Sequence, residues 1–119
     1  MANQGYLTTH VLDNMLGIPA SEMKIELYAL TDGRKLLASK ITNQDGRCEK
    51  PILPQADFIT GEYELLFYVS EYFTAKNIKP NNGEFLTIVP VRFTISDADS
   101  HYHVPLLVSP YAYSTYRGS

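Results

Sequence analysis

The three histidines, with Arg47 and Arg117, are the residues of this 119-residue chain whose types and spacing can do chemistry. His101 and His103 stand two apart, so on a strand both point to one face with Pro105, while Tyr102, Val104 and Leu106 take the other. His10 lies far away in sequence. A His-x-His pair on a strand can offer two ligands to a metal. A catalytic zinc uses three protein ligands with a supporting shell, however, and no Cys or Glu cluster reinforces His10, so no metal is expected. Imidazoles facing one pocket can instead serve as acid and base near neutral pH. Arg47 and Arg117 would suit an anionic, planar, oxygen-rich substrate, because a guanidinium fork matches carboxylate or imide oxygens. Taken singly, each residue has a plainer fate: a hydrogen-bonded histidine, a solvated arginine in a turn, a loose tail. No Gly-x-Ser-x-Gly elbow, phosphate-binding loop or Cys/His pairing argues for covalent catalysis or nucleotide chemistry.

The stretch from Tyr111 to Ser119 carries Tyr111, Tyr113 and Tyr116 ahead of Arg117. Chain ends are usually polar and frayed, whereas tyrosines at this density predict an ordered strand. Tyr113 is expected to anchor it by burial, its hydroxyl finding a partner.

The elements that must hold these residues read as strands. Thr8 to Leu12 is β-branched and apolar around His10. From Met23 to Leu30 the residues Ile25, Leu27 and Ala29 alternate with Lys24, Glu26 and Tyr28, the period of a half-buried strand. Thr31-Asp32-Gly33-Arg34 is a turn leading to a partner strand, Lys35 to Thr42. Asn43-Gln44-Asp45-Gly46 is a second turn, and it delivers Arg47. Gly61 to Val69 and Phe85 to Ile95 are further strands, Pro90 marking the latter as an edge or a bulge. Ser70 to Lys76 is the one good helical segment, with Ser70 as N-cap and Glu71 in the first turn. His101 to Val108 and Tyr111 to Tyr116 complete the set. Seven or eight short strands separated by turn signals predict a β-sandwich.

Length and composition narrow the classes. The chain is of single-domain size, and 45% hydrophobic residues suffice for a core. Only 19% are charged, which hints at surface covered by self-association. The net charge of −3 and the scattered basic residues argue against nucleic acid. No apolar run approaches the ~18 residues that span a bilayer. The opening Met1-Ala2-Asn3-Gln4-Gly5 lacks signal-peptide character, Gly118-Ser119 is not a peroxisomal address, and the lone Cys48 suits a reducing compartment. These features predict a cytoplasmic protein.

Five segments together resemble the 5-hydroxyisourate hydrolases, also called transthyretin-like proteins. They are Leu7-Thr8-Thr9-His10-Val11-Leu12-Asp13 with Gly17-Ile18-Pro19-Ala20, Thr42 to Cys48, Val89 to Phe93, His101 to Pro110, and Tyr113 to Ser119. The match runs nearly end to end, and Tyr116-Arg117-Gly118-Ser119 is its most specific part. The resemblance implies an all-β, transthyretin-like, seven- to eight-stranded antiparallel β-sandwich with one short helix, spanning residues 1–119 as a single domain. It implies a homotetramer in which sheets of two subunits extend each other and two dimers stack. The active sites would lie in the channel between dimers, where transthyretin binds thyroid hormone. The implied reaction is hydrolysis of 5-hydroxyisourate, the product of urate oxidase, to 2-oxo-4-hydroxy-4-carboxy-5-ureidoimidazoline, without metal or organic cofactor. Carried over, His10, Arg47 and His103 are catalytic, and Tyr116, Arg117, Gly118 and Ser119 bind substrate and close the site. His101 is expected outside the first ring of contacts. The rival reading is a non-catalytic carrier of small aromatic ligands on the same sandwich.

Overall fold

A computed structural model describes residues 4–53, 55–80 and 82–118. Its elements are β1 (Tyr6–Thr8), β2 (Val11–Asp13), β3 (Ile18–Pro19), β4 (Lys24–Ala29), β5 (Lys35–Ile41), β6 (Gly61–Tyr68), α1 (Val69–Ala75), β7 (Ile88–Ile95), β8 (His101–His103), β9 (Leu106–Val108) and β10 (Tyr113–Thr115). One sheet has the order β5-β4-β6-β7 and is antiparallel throughout. The other has the order β10-β9-β2-β3, preceded along the chain by the two-stranded ladder β1-β8. The alternation read from the sequence holds. Ile25, Leu27, Leu65, Phe67, Val89 and Ile95 meet Leu7, Val11, Tyr102, Val104, Leu106 and Val108 in one core cluster. Burying such side chains contributes roughly 1.5–3 kcal/mol each.

Two strand pairs depart from the expected antiparallel pattern. β1 runs parallel to β8, with Tyr6 opposite His101 and Thr8 opposite His103, and β2 runs parallel to β9. Parallel neighbours need a long crossover connection; here almost the whole chain intervenes. Each of the two long strands expected around the histidines is also broken in the middle. Thr9 and His10 separate β1 from β2, and Val104 and Pro105 separate β8 from β9. Pro105 has no N–H to give the ladder. The break is stitched instead by Val104 N–H to Thr8 O (3.0 Å), Leu106 N–H to His10 O (2.9 Å) and the Thr9 hydroxyl to Val104 O (2.6 Å). His10 therefore sits at a kink between two short strands.

Helix α1 occurs where expected but not with the expected cap. It starts at Val69 straight out of β6, and no side chain caps it. The Val69 and Ser70 N–H groups both donate to Thr87 O, and the Ser70 hydroxyl donates to Glu84 instead. A strand running directly into a helix leaves no turn in which a cap residue can sit. Strand β7 lies at a sheet edge, which is what allows Pro90 within it.

Candidate active site

The alternation of β8 sends Tyr102 into the core and leaves both histidines half-buried on the other face. The parallel register brings β1 against them. The Thr8 hydroxyl oxygen lies 2.6 Å from His101 Nε2 and 2.8 Å from His103 Nδ1, bridging the two rings. The Tyr6 ring stacks on His101 at 4.1 Å with an interplanar angle of 9°.

Arg47 arrives from the Asn43–Gly46 turn. The Asn43 side-chain oxygen accepts from the N–H groups of Asp45 (2.9 Å) and Arg47 (3.1 Å), closing an Asx turn. Gly46 has φ +75°, and its carbonyl accepts from Val11 N–H at 2.8 Å. A Cβ on Gly46 would stand 2.4 Å from Val11 O, so only glycine lets the loop lie against β2. The arginine loop is thereby docked one residue from His10.

These elements enclose a cleft of about 370 Å³ whose walls include Arg47, Lys50, Thr8, Tyr6, His101 and His103, with Thr9 and Cys48. Arg47 and His103 are thus brought together. His10 does not line this cleft in the single subunit, but its ring is close enough to feel the Arg47 charge. Burial, chiefly, holds the His103 pKa below its ordinary 6.5, and His101, Arg47 and His10 add to the effect. Burial and then Arg47 lower His10 likewise, against an opposing pull from the Asp45 backbone and carboxylate. Both rings therefore favour the neutral form, in which an imidazole nitrogen has a free lone pair. Burial pushes the Cys48 thiol up, away from the reactive thiolate. Among the described residues, no group of three or more His, Cys, Asp or Glu side chains is arranged to hold a metal ion.

The tail returns to the histidines. Gly118 N–H donates to His103 O at 2.7 Å, and the Thr115 hydroxyl donates to Pro105 O at 2.7 Å. A Cβ on Gly118 would stand 2.7 Å from His103 Cδ2, so the bare glycine fits against the ring. One expectation is corrected here. Tyr113 is not a buried anchor: it is 45% exposed on the edge strand β10, and the anchors are backbone and threonine bonds. Arg117 lays its guanidinium over the Tyr102 ring at 4.2 Å, following the residue between the histidines that points the other way. It clasps the tail and, within the subunit, does not line the cleft. Tyr116 is 59% exposed. Ser119 lies outside the described residues.

Sequence reasoning missed Thr8, Tyr6 and Lys50 as walls of the cleft. Period two counted back from His10 passes through Thr8 and Tyr6 and was the available signal; nothing in the sequence marks Lys50. Among the described residues no helix is long and apolar enough to cross a membrane.

The profile of the HIUase/Transthyretin family matches residues 7–118. The chain is 55% identical over 120 residues to 5-hydroxyisourate hydrolase 2 of Rhizobium meliloti (strain 1021), with 100% of both chains covered. It superposes on the crystal structure of (S)-allantoin synthase with a TM-score of 0.92 and 46% identity, over 99% of this chain and 45% of that longer one. On sea bream transthyretin in complex with thyroxine the TM-score is 0.85 at 25% identity, over 94% and 93% of the two chains.

Proposed function

The chain belongs to the HIUase/Transthyretin family, and within that family we propose that it is the hydrolase, opening the ring of 5-hydroxyisourate to give 2-oxo-4-hydroxy-4-carboxy-5-ureidoimidazoline. The observation that carries this reading is the meeting of His103, buried enough to favour a neutral imidazole, with Arg47 in one cleft. Identity of 55% to a hydrolase along the full chain, against 25% to transthyretin, supports the same side.

The scissile bond is a ring amide flanked by an electron-poor carbon, and water is the nucleophile. His103 and His10 position and deprotonate that water, and one imidazole returns a proton to the leaving nitrogen. Arg47 holds substrate oxygens and stabilises the developing oxyanion. Tyr116, Arg117, Gly118 and Ser119 bind the substrate and close over it, and in the lone subunit the Arg117 guanidinium lies over the Tyr102 ring at 4.2 Å. Residues 1–119 act as one domain. Four copies assemble so that the cleft, open to solvent in one subunit, is walled by a neighbour. The substrate is supplied by oxidation of urate in the cytoplasm.

The test is ultraviolet absorbance after urate oxidase is added to urate, with and without this protein. 5-Hydroxyisourate decays slowly unaided, so its absorbance should vanish far faster with the protein present. His103→Ala should lower the rate roughly 10²–10⁴-fold, and Arg47→Ala roughly 10²–10³-fold. A folded assembly that leaves the decay unchanged would move the assignment to a ligand carrier.

A further inference from the structure

One hydroxyl stands between two imidazoles. The Thr8 oxygen is within hydrogen-bond distance of both His101 Nε2 and His103 Nδ1. A threonine hydroxyl has a single proton to give and two lone pairs. It can donate to only one of the two rings, so if both bonds are made the other ring must donate to it. The tautomers of His101 and His103 are therefore tied together. His101 is itself fixed by the parallel stack of Tyr6 on its face. The other charged or titratable groups near His103 are Arg47, Lys50 and Cys48 in the cleft walls, with His10 beside them. None of these appears among the partners of its Nδ1, which belongs to Thr8.

We infer that Thr8 and His101 are positioning residues that fix the tautomer of His103: His103 Nδ1–H donates to Thr8, the Thr8 hydroxyl donates to His101 Nε2, and His103 Nε2 is left bare for the cleft. The inference rests on the reading of His103 as a group that meets water. When His103 Nε2 accepts a proton from water, its Nδ1 proton stays in place and the new imidazolium remains hydrogen-bonded through Thr8. The array does for His103 what a carboxylate does in a hydrolytic triad, with a neutral hydroxyl and a second imidazole in its place. Tyr6 supplies the rigidity of the distant end.

Nitrogen-15 NMR of the full chain labelled in its histidines reads the tautomer of each ring whether or not substrate is turned over. The wild-type protein should show His103 protonated on Nδ1 at neutral pH. Thr8→Val should move the ring towards the Nε2–H form and lower kcat/KM roughly 10–100-fold, the loss typical when an imidazole's orienting partner is removed. Thr8→Ser should restore both. His101→Phe keeps a ring for Tyr6 to stack on but cannot accept, and should act in the same direction; it decides the matter if Thr8→Val does not fold. Wild-type His103 protonated on Nε2, or variants with unchanged tautomer and turnover, would overturn the inference. Full turnover by His103→Ala would overturn the underlying reading instead, and the NMR signals keep the two failures apart.

Discussion

His103 is held at three points: its Nδ1 by Thr8, its carbonyl by Gly118 N–H, and its ring edge by the bare Gly118. A base so held must also be neutral to work. Both His103 and His10 have values lowered from 6.5, so the working form persists below that pH and is lost only as pH falls through the lowered values. The acid limb of kcat/KM should therefore lie below pH 6.5 and belong to the pair rather than to either ring. A limb at or above 6.5 would contradict the burial of these rings. The same shifts make stability full above 6.5 and falling as the two rings are forced to charge. At this scale much was legible. Arg47 and His103, which meet in one cleft, stand out by residue type, and the Asn43–Gly46 turn announced where Arg47 would go; His10 stands out equally but lies beside that cleft rather than in its wall. Thr8 was not singled out because a threonine in a strand is ordinary until its neighbour is known, and that neighbour is set by a parallel register.

Asp13 shows how one side chain joins several elements. It ends β2, is 1% exposed, and accepts from the N–H groups of Met15 and Leu16 at 2.9 Å each and from the Tyr72 hydroxyl at 2.8 Å. It thus ties the turn before β3 to helix α1, and the buried bond to Asp13 raises the Tyr72 pKa after burial itself. Asp13→Ala would strand a buried hydroxyl and two N–H groups, and should cost about 3 kcal/mol in urea unfolding. Because β2 follows His10 directly, the variant should also lose activity at temperatures where it remains folded. The elements themselves were legible from period-two alternation, since a strand with one face in the core must alternate. The breaks were not. Pro105 predicts only that a ladder bond is missing, and the stitching across the gap comes from a partner strand far away. The Ser70 cap failed for a related reason: serine ahead of Glu71 is a sound local signal, but the helix already begins at Val69, with the Val69 and Ser70 N–H groups bonded to Thr87 O, so Ser70 lies inside it.

The subunit leaves β3, β5, β7 and β10 at its sheet edges, and the exposed apolar side chains include Ile88 of β7 at 42% and Tyr113 of β10 at 45%. Unpaired edges carrying apolar side chains invite pairing with another copy. The buried carboxylate of Glu64 in β6 is already matched, by Arg34 at 3.2 Å and Arg92 at 3.1 Å. Light scattering should accordingly give four times the 13.4 kDa chain mass. Removing residues 116–119 should leave the fourfold assembly intact while abolishing most turnover, since β10 ends before them. A deletion that unfolds the protein would make the tail structural instead.

The parallel seam has a consequence for how the protein comes into being. Thr8 meets a residue 95 positions further along the chain. During synthesis Leu7 and Val11, fully buried in the end, must wait uncovered until β8 and β9 emerge. No fragment short of that point can hold any part of the histidine array. A chain that stalls before His103 therefore lacks the array and is silent rather than partly active.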